Sequence, residues 1–193
     1  MMRTQKCIRY AIAAAFVVSN AASTAQAQIA KFTNINDAVP SKFFDAARSA
    51  SDPSNPNRLI IGFNSGYDPL TYSGNDFRVS LLSFSNRSAT DTISFTVEAP
   101  DGFYVAKITY TQRGSGSIFR TSVSGGGATW VVNGRTALLG IFSNNPNLTG
   151  TADLTDLQLT SVPVSITDSL FSATGAMAIT SADVVVTLLP LVQ

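Results

Sequence analysis

The chain has no histidine among its 193 residues, and its one cysteine, Cys7, stands near the N-terminus. The first absence removes Ser-His-Asp nucleophiles, His-based zinc sites and the commonest neutral-pH acid–base group. The second removes internal disulfides and leaves no thiolate cluster for a metal. Charge is scarce as well, with Asp, Glu, Lys and Arg making up 13% of the residues. Beyond residue 27 the only glutamate is Glu98 and the only lysines are Lys31, Lys42 and Lys107. Surface helices draw on these straight side chains because they lose little rotamer freedom there. Abundant Ser, Thr, Val and Gly suit a pleated, half-buried sheet instead. No G-x-S-x-G elbow, S-x-x-K pair or glycine loop running into Gly-Lys occurs.

What is present begins with an export signal. Arg3, Lys6 and Arg9 precede an apolar run, YAIAAAFVV over residues 10–18, followed by Ala25-Gln26-Ala27. A positive n-region, a short apolar stretch and A-x-A predict a cleaved signal peptide over residues 1–27. Cys7 lies ahead of the apolar run, where a lipid-modified cysteine would lie behind it, so it leaves with the signal. Cleavage takes three of the 13 cations and leaves ten against 12 acids, a formal charge of −2. That surface has no basic stripe for phosphates, which argues against nucleic acid as a partner. The apolar tail at residues 184–192 is too short to span a bilayer, so no transmembrane anchor is expected.

Residues 28–57 read as a lead-in, with a short helix over KFFDAARSA at 42–50, capped by Ser41. The prolines of Asp52-Pro-Ser-Asn-Pro-Asn then break the chain. From residue 58 to 193 turn signals recur regularly and predict strands at 58–64, 77–84, 92–98, 103–112, 117–124, 128–132, 136–142, 154–159, 162–171 and 176–189. Alternation is clean at Ile93, Phe95 and Val97, at Val162, Val164 and Ile166, and at Tyr104, Ala106, Ile108 and Tyr110. Asn133-Gly134 between two apolar runs predicts a type I′ hairpin. The fold class expected is all-β: an antiparallel sandwich of jelly-roll or Greek-key type, with one short N-terminal helix. Trp130 is expected in its core.

The stretch APDGFYVAKITYTQRG at residues 99–114 resembles a strand-turn-strand of secreted bacterial β-sandwich proteins of the PEP-CTERM, exosortase-sorted kind. The resemblance implies a secreted sandwich. Its sorting tail, a Pro-Glu-Pro motif with an apolar span and basic end, is not matched by the final VTLLPLVQ, so sorting is not implied.

Chemistry left open rests on acids and aromatics. Glu98 and Asp101 could form a carboxylate pair for glycoside hydrolysis, although Asp101 reads first as a turn residue. Calcium needs only oxygens, and Asp52, Asn55, Asp68, Asn75, Asp76, Asp153 and Asp156 fall in or near predicted loops without forming a binding motif. No cofactor is therefore expected, loop-bound calcium being the one ion the composition admits. Gly114-Ser-Gly116 and Gly125-Gly-Gly127 lead into no helix and read as hairpin connections. Asn86-Arg-Ser88 and Asn147-Leu-Thr149 fit the glycosylation acceptor by chance in a bacterial-type chain.

The loop Gly66–Asp76 is the binding candidate. Tyr67 and Tyr72 offer stacking faces, while Asp68, Asn75 and Asp76 offer acceptors for sugar hydroxyls. The expectation is a non-enzymatic binding or structural module of the bacterial envelope or matrix, contacting polysaccharide or another envelope protein. An assembly subunit pairing through an edge strand is the alternative, and a carboxylate-pair hydrolase the third.

Overall fold

A computed structural model describes residues 28–64, 87–117, 124–143, 147–172 and 176–191. Among these residues ten strands form two antiparallel five-stranded sheets. In chain order they are β1 (Lys31–Asp37), β2 (Phe44–Asp52), β3 (Asn55–Phe63), β4 (Arg87–Glu98), β5 (Phe103–Ser117), β6 (Ser124–Val132), β7 (Arg135–Ser143), β8 (Leu148–Asp153), β9 (Ser161–Ser172) and β10 (Ala176–Pro190). One sheet runs β1-β4-β9-β6-β7 and the other β2-β3-β10-β5-β8. No α-helix occurs among the described residues.

The pairing is that of one long ribbon doubled back on itself. At its tip β6 and β7 form a hairpin in which Val132 pairs with Arg135 across Asn133-Gly134. Both turn residues have positive φ, 48° and 75°, as a type I′ turn requires. Away from the tip β5 pairs with β8, β4 with β9 and β3 with β10. Successive partners alternate between the sheets, and the β5–β10 and β6–β9 ladders complete them. β1 and β2 are added at the outer edges, beside β4 and β3.

The alternating stripes named from sequence supply the core. Ile93, Phe95, Val97, Val162, Val164, Ile166, Ile108 and Tyr110 are all at most 2% exposed, and Trp130 is 4% exposed. The outward positions carry paired hydroxyls, such as Thr92 with Thr167 at 2.8 Å and Thr109 with Thr151 at 3.1 Å. Such cross-strand pairs explain what the threonines contribute.

The helix expected over residues 42–50 does not form; β2 occupies most of that stretch. The reason is where its N–H groups go. Asp91 accepts those of Lys42, Phe43 and Phe44, Asp37 that of Ala46, and Asp45 those of Ala47 and Arg48. Carboxylates thus replace the carbonyls four residues back. The β2–β3 register jumps between Asp45 and Ala50, a bulge that the sequence pattern resembles as one helical turn.

The strand expected at 154–159 is also absent. Asp153 Oδ1 accepts from Thr155 N and Oγ1 at 3.0 and 2.6 Å, which turns the chain into a single 3-10 turn, Thr155–Leu157. Gln158 then takes a left-handed φ of 47°, and β8 ends before this stretch begins. Residues 1–27 and the expected strand at 77–84 lie outside the described residues. So does the one at 117–124, apart from Ser117 and Ser124, which end β5 and begin β6.

Candidate functional site

The two ends of the sandwich differ. One is closed by tight connections: Pro53-Ser54, Pro100 to Gly102, Asn133-Gly134 and the turn after β8. At the other, Phe63, Arg87, Ser117, Ser124, Ser143, Leu148, Ser172 and Ala176 end or begin their strands. Tyr67, Asp68, Tyr72, Asn75 and Asp76 fall in the sequence between the end of β3 and the start of β4, and all five lie outside the described residues.

Beneath that end lies a buried polar cluster. Asp91 on β4 and Asp168 on β9 are directly opposed across the ladder, and Ala128 on β6 flanks Asp168 on its other side. Asp91 is 2% exposed and Asp168 is fully buried. Both occupy inward positions of otherwise apolar stripes, two residues before Ile93 and two after Ile166. Gln112 stands likewise two residues beyond Tyr110 on β5 and is 1% exposed. These polar interruptions of apolar stripes are the mark the cluster leaves in the sequence, and no local motif accompanies them.

The two aspartates have different tasks. Asp91 Oδ2 accepts the N–H groups of Lys42, Phe43 and Phe44 at 2.9, 2.7 and 2.8 Å, with Ser41 Oγ at 3.2 Å. Its Oδ1 takes the N–H of Thr92. This clamp fixes the crossover from β1 to β2 and seats Phe43 and Phe44 in the core, their ring centroids 4.7 Å apart.

Asp168 instead reaches across to the other sheet. Its Oδ2 lies 2.9 Å from Tyr110 Oη, which lies 2.8 Å from Gln112 Oε1. Its Oδ1 has no hydrogen-bond partner among the described residues. Burial pushes its carboxyl up to about 7, against a smaller downward pull from the tyrosine hydroxyl. Burial, and then the Asp168 charge, raises the Tyr110 phenol well above its ordinary value. A phenol has one proton and cannot serve two acceptors. When Asp168 is protonated, its O–H gives to Tyr110 and Tyr110 gives to Gln112, completing one chain between the sheets.

Of the other acids, Asp52 and Asp183 meet on the Arg58 guanidinium at 3.2 and 2.8 Å. Glu98 accepts from Thr33 Oγ1 at 2.9 Å, while Asp101 is exposed in the turn closed by Phe103 N and Pro100 O. Among the described residues no three of Asp, Glu, Cys and His gather as a metal site, and no helix is long and apolar enough to cross a membrane.

No protein-family model and no curated protein matches the chain. Among solved structures the GH31 alpha-xylosidase of Xanthomonas citri aligns at 12% identity and a TM-score of 0.27, over 83% of this chain and 20% of that one. The alignment thus spans about a fifth of the xylosidase chain, and a likeness this low carries no argument about function.

Proposed function

We propose that the chain is an exported, non-enzymatic binding or structural module of the bacterial envelope or extracellular matrix, contacting polysaccharide through the loop end of its sandwich. The observation that carries this reading is the asymmetry of the two ends. A rigid, tightly turned sandwich delivers β3 and β4, which flank the Tyr67–Asp76 segment, to the same end as three other connections. Binding residues concentrate on loops held by such scaffolds. The strand order supports a jelly-roll winding: β3-β10-β5-β8 faces β4-β9-β6-β7, with each strand of the first arm paired to its counterpart in the second. Lectin domains use this architecture, an analogy of fold and not of site.

The buried acids favour scaffold over catalyst. Asp91 is committed to backbone amides, and Asp168 is sealed from solvent beside a tyrosine. Screening the exported protein against a glycan panel, with and without calcium, tests the reading. It predicts retention of at least one polysaccharide, and turnover of a glycan would replace it with the hydrolase.

A further inference from the structure

Two sheets present four edges, and they are not alike. β1 breaks register between Thr33 and Asn36, with Asn34 at a φ of 52° and Lys31 and Asp37 at its ends. β2 carries the bulge after Asp45, with Arg48 paired to Asp45 at 3.3 Å. β8 is six residues long and ends at Asp153. Bulges, charges and shortness are the devices that blunt an edge against another strand.

β7 lacks most of them. It is nine residues long, and its one charge is Arg135, beside the hairpin turn. Leu138 is 59% exposed, the second most exposed large apolar side chain after Val39 among the described residues. In a two-residue hairpin the residues flanking the turn exchange hydrogen bonds, so Arg135 and Ala137 face β6 with their N–H and C=O groups. Those of Thr136 and Leu138 point outward. No strand pairs with that side among the described residues. The register shift opposite Ala128 and Thr129 comes only after Leu138, leaving a regular stretch at the hairpin end.

We propose that this stretch is a homodimer edge: β7 pairs antiparallel with β7 of a second copy about a two-fold axis at Ala137. Thr136 of each copy then exchanges main-chain hydrogen bonds with Leu138 of the other, and Arg135 meets Leu139, so no like charges oppose. The occupant is a second copy's β7 because the other three edges are blunted and cannot receive it. Pairing of one patch with itself closes at two, whereas head-to-tail pairing would build fibres. This inference is independent of the glycan reading.

Light scattering on the isolated protein, its Leu138→Lys variant and an Ala137→Cys variant in a Cys7→Ser background provides the test. The wild type should run as a dimer, and Leu138→Lys should halve the mass at an unchanged melting temperature. Ala137→Cys should form a disulfide-linked dimer in air, because opposed non-hydrogen-bonded positions bring the two Cα atoms within bridging distance. Lys107→Cys, exposed in the other sheet, should not. A monomer at all concentrations, a ladder of larger species, or a dimer with no Ala137→Cys cross-link overturns the proposal. If Leu138→Lys fails to fold, the cross-link alone decides.

Discussion

Tyr110 Oη lies 2.9 Å from Asp168 Oδ2, so a phenol from one sheet meets a carboxyl from the other inside the sandwich. Asp168 binds its proton up to about pH 7 when folded, against an ordinary value of 3.8. Between those values the folded chain holds one proton more than the unfolded chain, so stability falls as pH rises. The contribution is fully present below about pH 4 and lost by about pH 7, on the order of 4 kcal/mol at ~1.4 kcal/mol per unit. Asp52 and Asp153 are held low first by the hydroxyls of Ser54 and Thr155, and act in the opposite sense only at more acid pH. Urea midpoints from pH 4 to 8 should decline for the wild type and stay nearly flat for Asp168→Asn. Equal slopes would contradict the assignment.

Asp91 should matter for a different reason. Its removal strands four amide donors, those of Phe43 and Phe44 buried and those of Lys42 and Thr92 partly so, at about 1–3 kcal/mol for each buried one before relaxation. Asp91→Ala should therefore cost about 3–5 kcal/mol in urea unfolding. Asp91→Asn, which keeps one carbonyl acceptor, should cost less. A loss below about 1 kcal/mol for the alanine would mean the clamp is dispensable.

Much of the architecture was legible because burial and strand period coincide. Ile93, Phe95 and Val97 alternate, and each is at most 2% exposed. The stretch at residues 42–50 carries helical spacing yet forms a strand, its Asp45-capped bulge, with Ser49 Oγ donating to the carbonyl of Asp45 four residues back, resembling a single helical turn. Which donors go to Asp91 is decided 47 to 49 residues away, beyond any local pattern. The buried cluster left a visible mark, acids on apolar stripes, but the ladder that opposes Asp91 to Asp168 exists only once the sheet is built. The order of the strands in the two sheets is likewise a property of long-range pairing.

The bulge itself can be tested at Gly62. A Cβ there would lie 2.5 Å from Arg48 Cβ and 2.6 Å from its carbonyl carbon, and backbone must give way. Gly62→Ala should destabilise by about 1–3 kcal/mol. Gly140→Ala is the control, since its Cβ would meet Leu148 at an ordinary 3.6 Å. Equal effects would show that the close crossing of β2 over β3 is not a constraint.

At the ribbon's tip, Gly134 has a φ of 75° and open space around a built Cβ, so any cost of a side chain is one of backbone conformation. Gly134→Val should lose about 1–2 kcal/mol of stability, read from thermal unfolding. An unchanged melting temperature would mean that the turn readily adopts another form.

The functional claim stands most directly on Tyr67 and Tyr72. If the β3–β4 loop stacks a sugar, Tyr67→Ala and Tyr72→Ala should each weaken binding to the retained glycan by about 1–3 kcal/mol, by analogy with aromatic stacking on other planar groups. Their melting temperatures should hardly move, because an exposed platform adds little to the core. Calorimetric titration with parallel thermal unfolding of the wild type and both variants measures the two quantities together. Loss of affinity at constant stability is the predicted result. Lower melting temperatures with binding intact, or no glycan bound by the wild type, would contradict it.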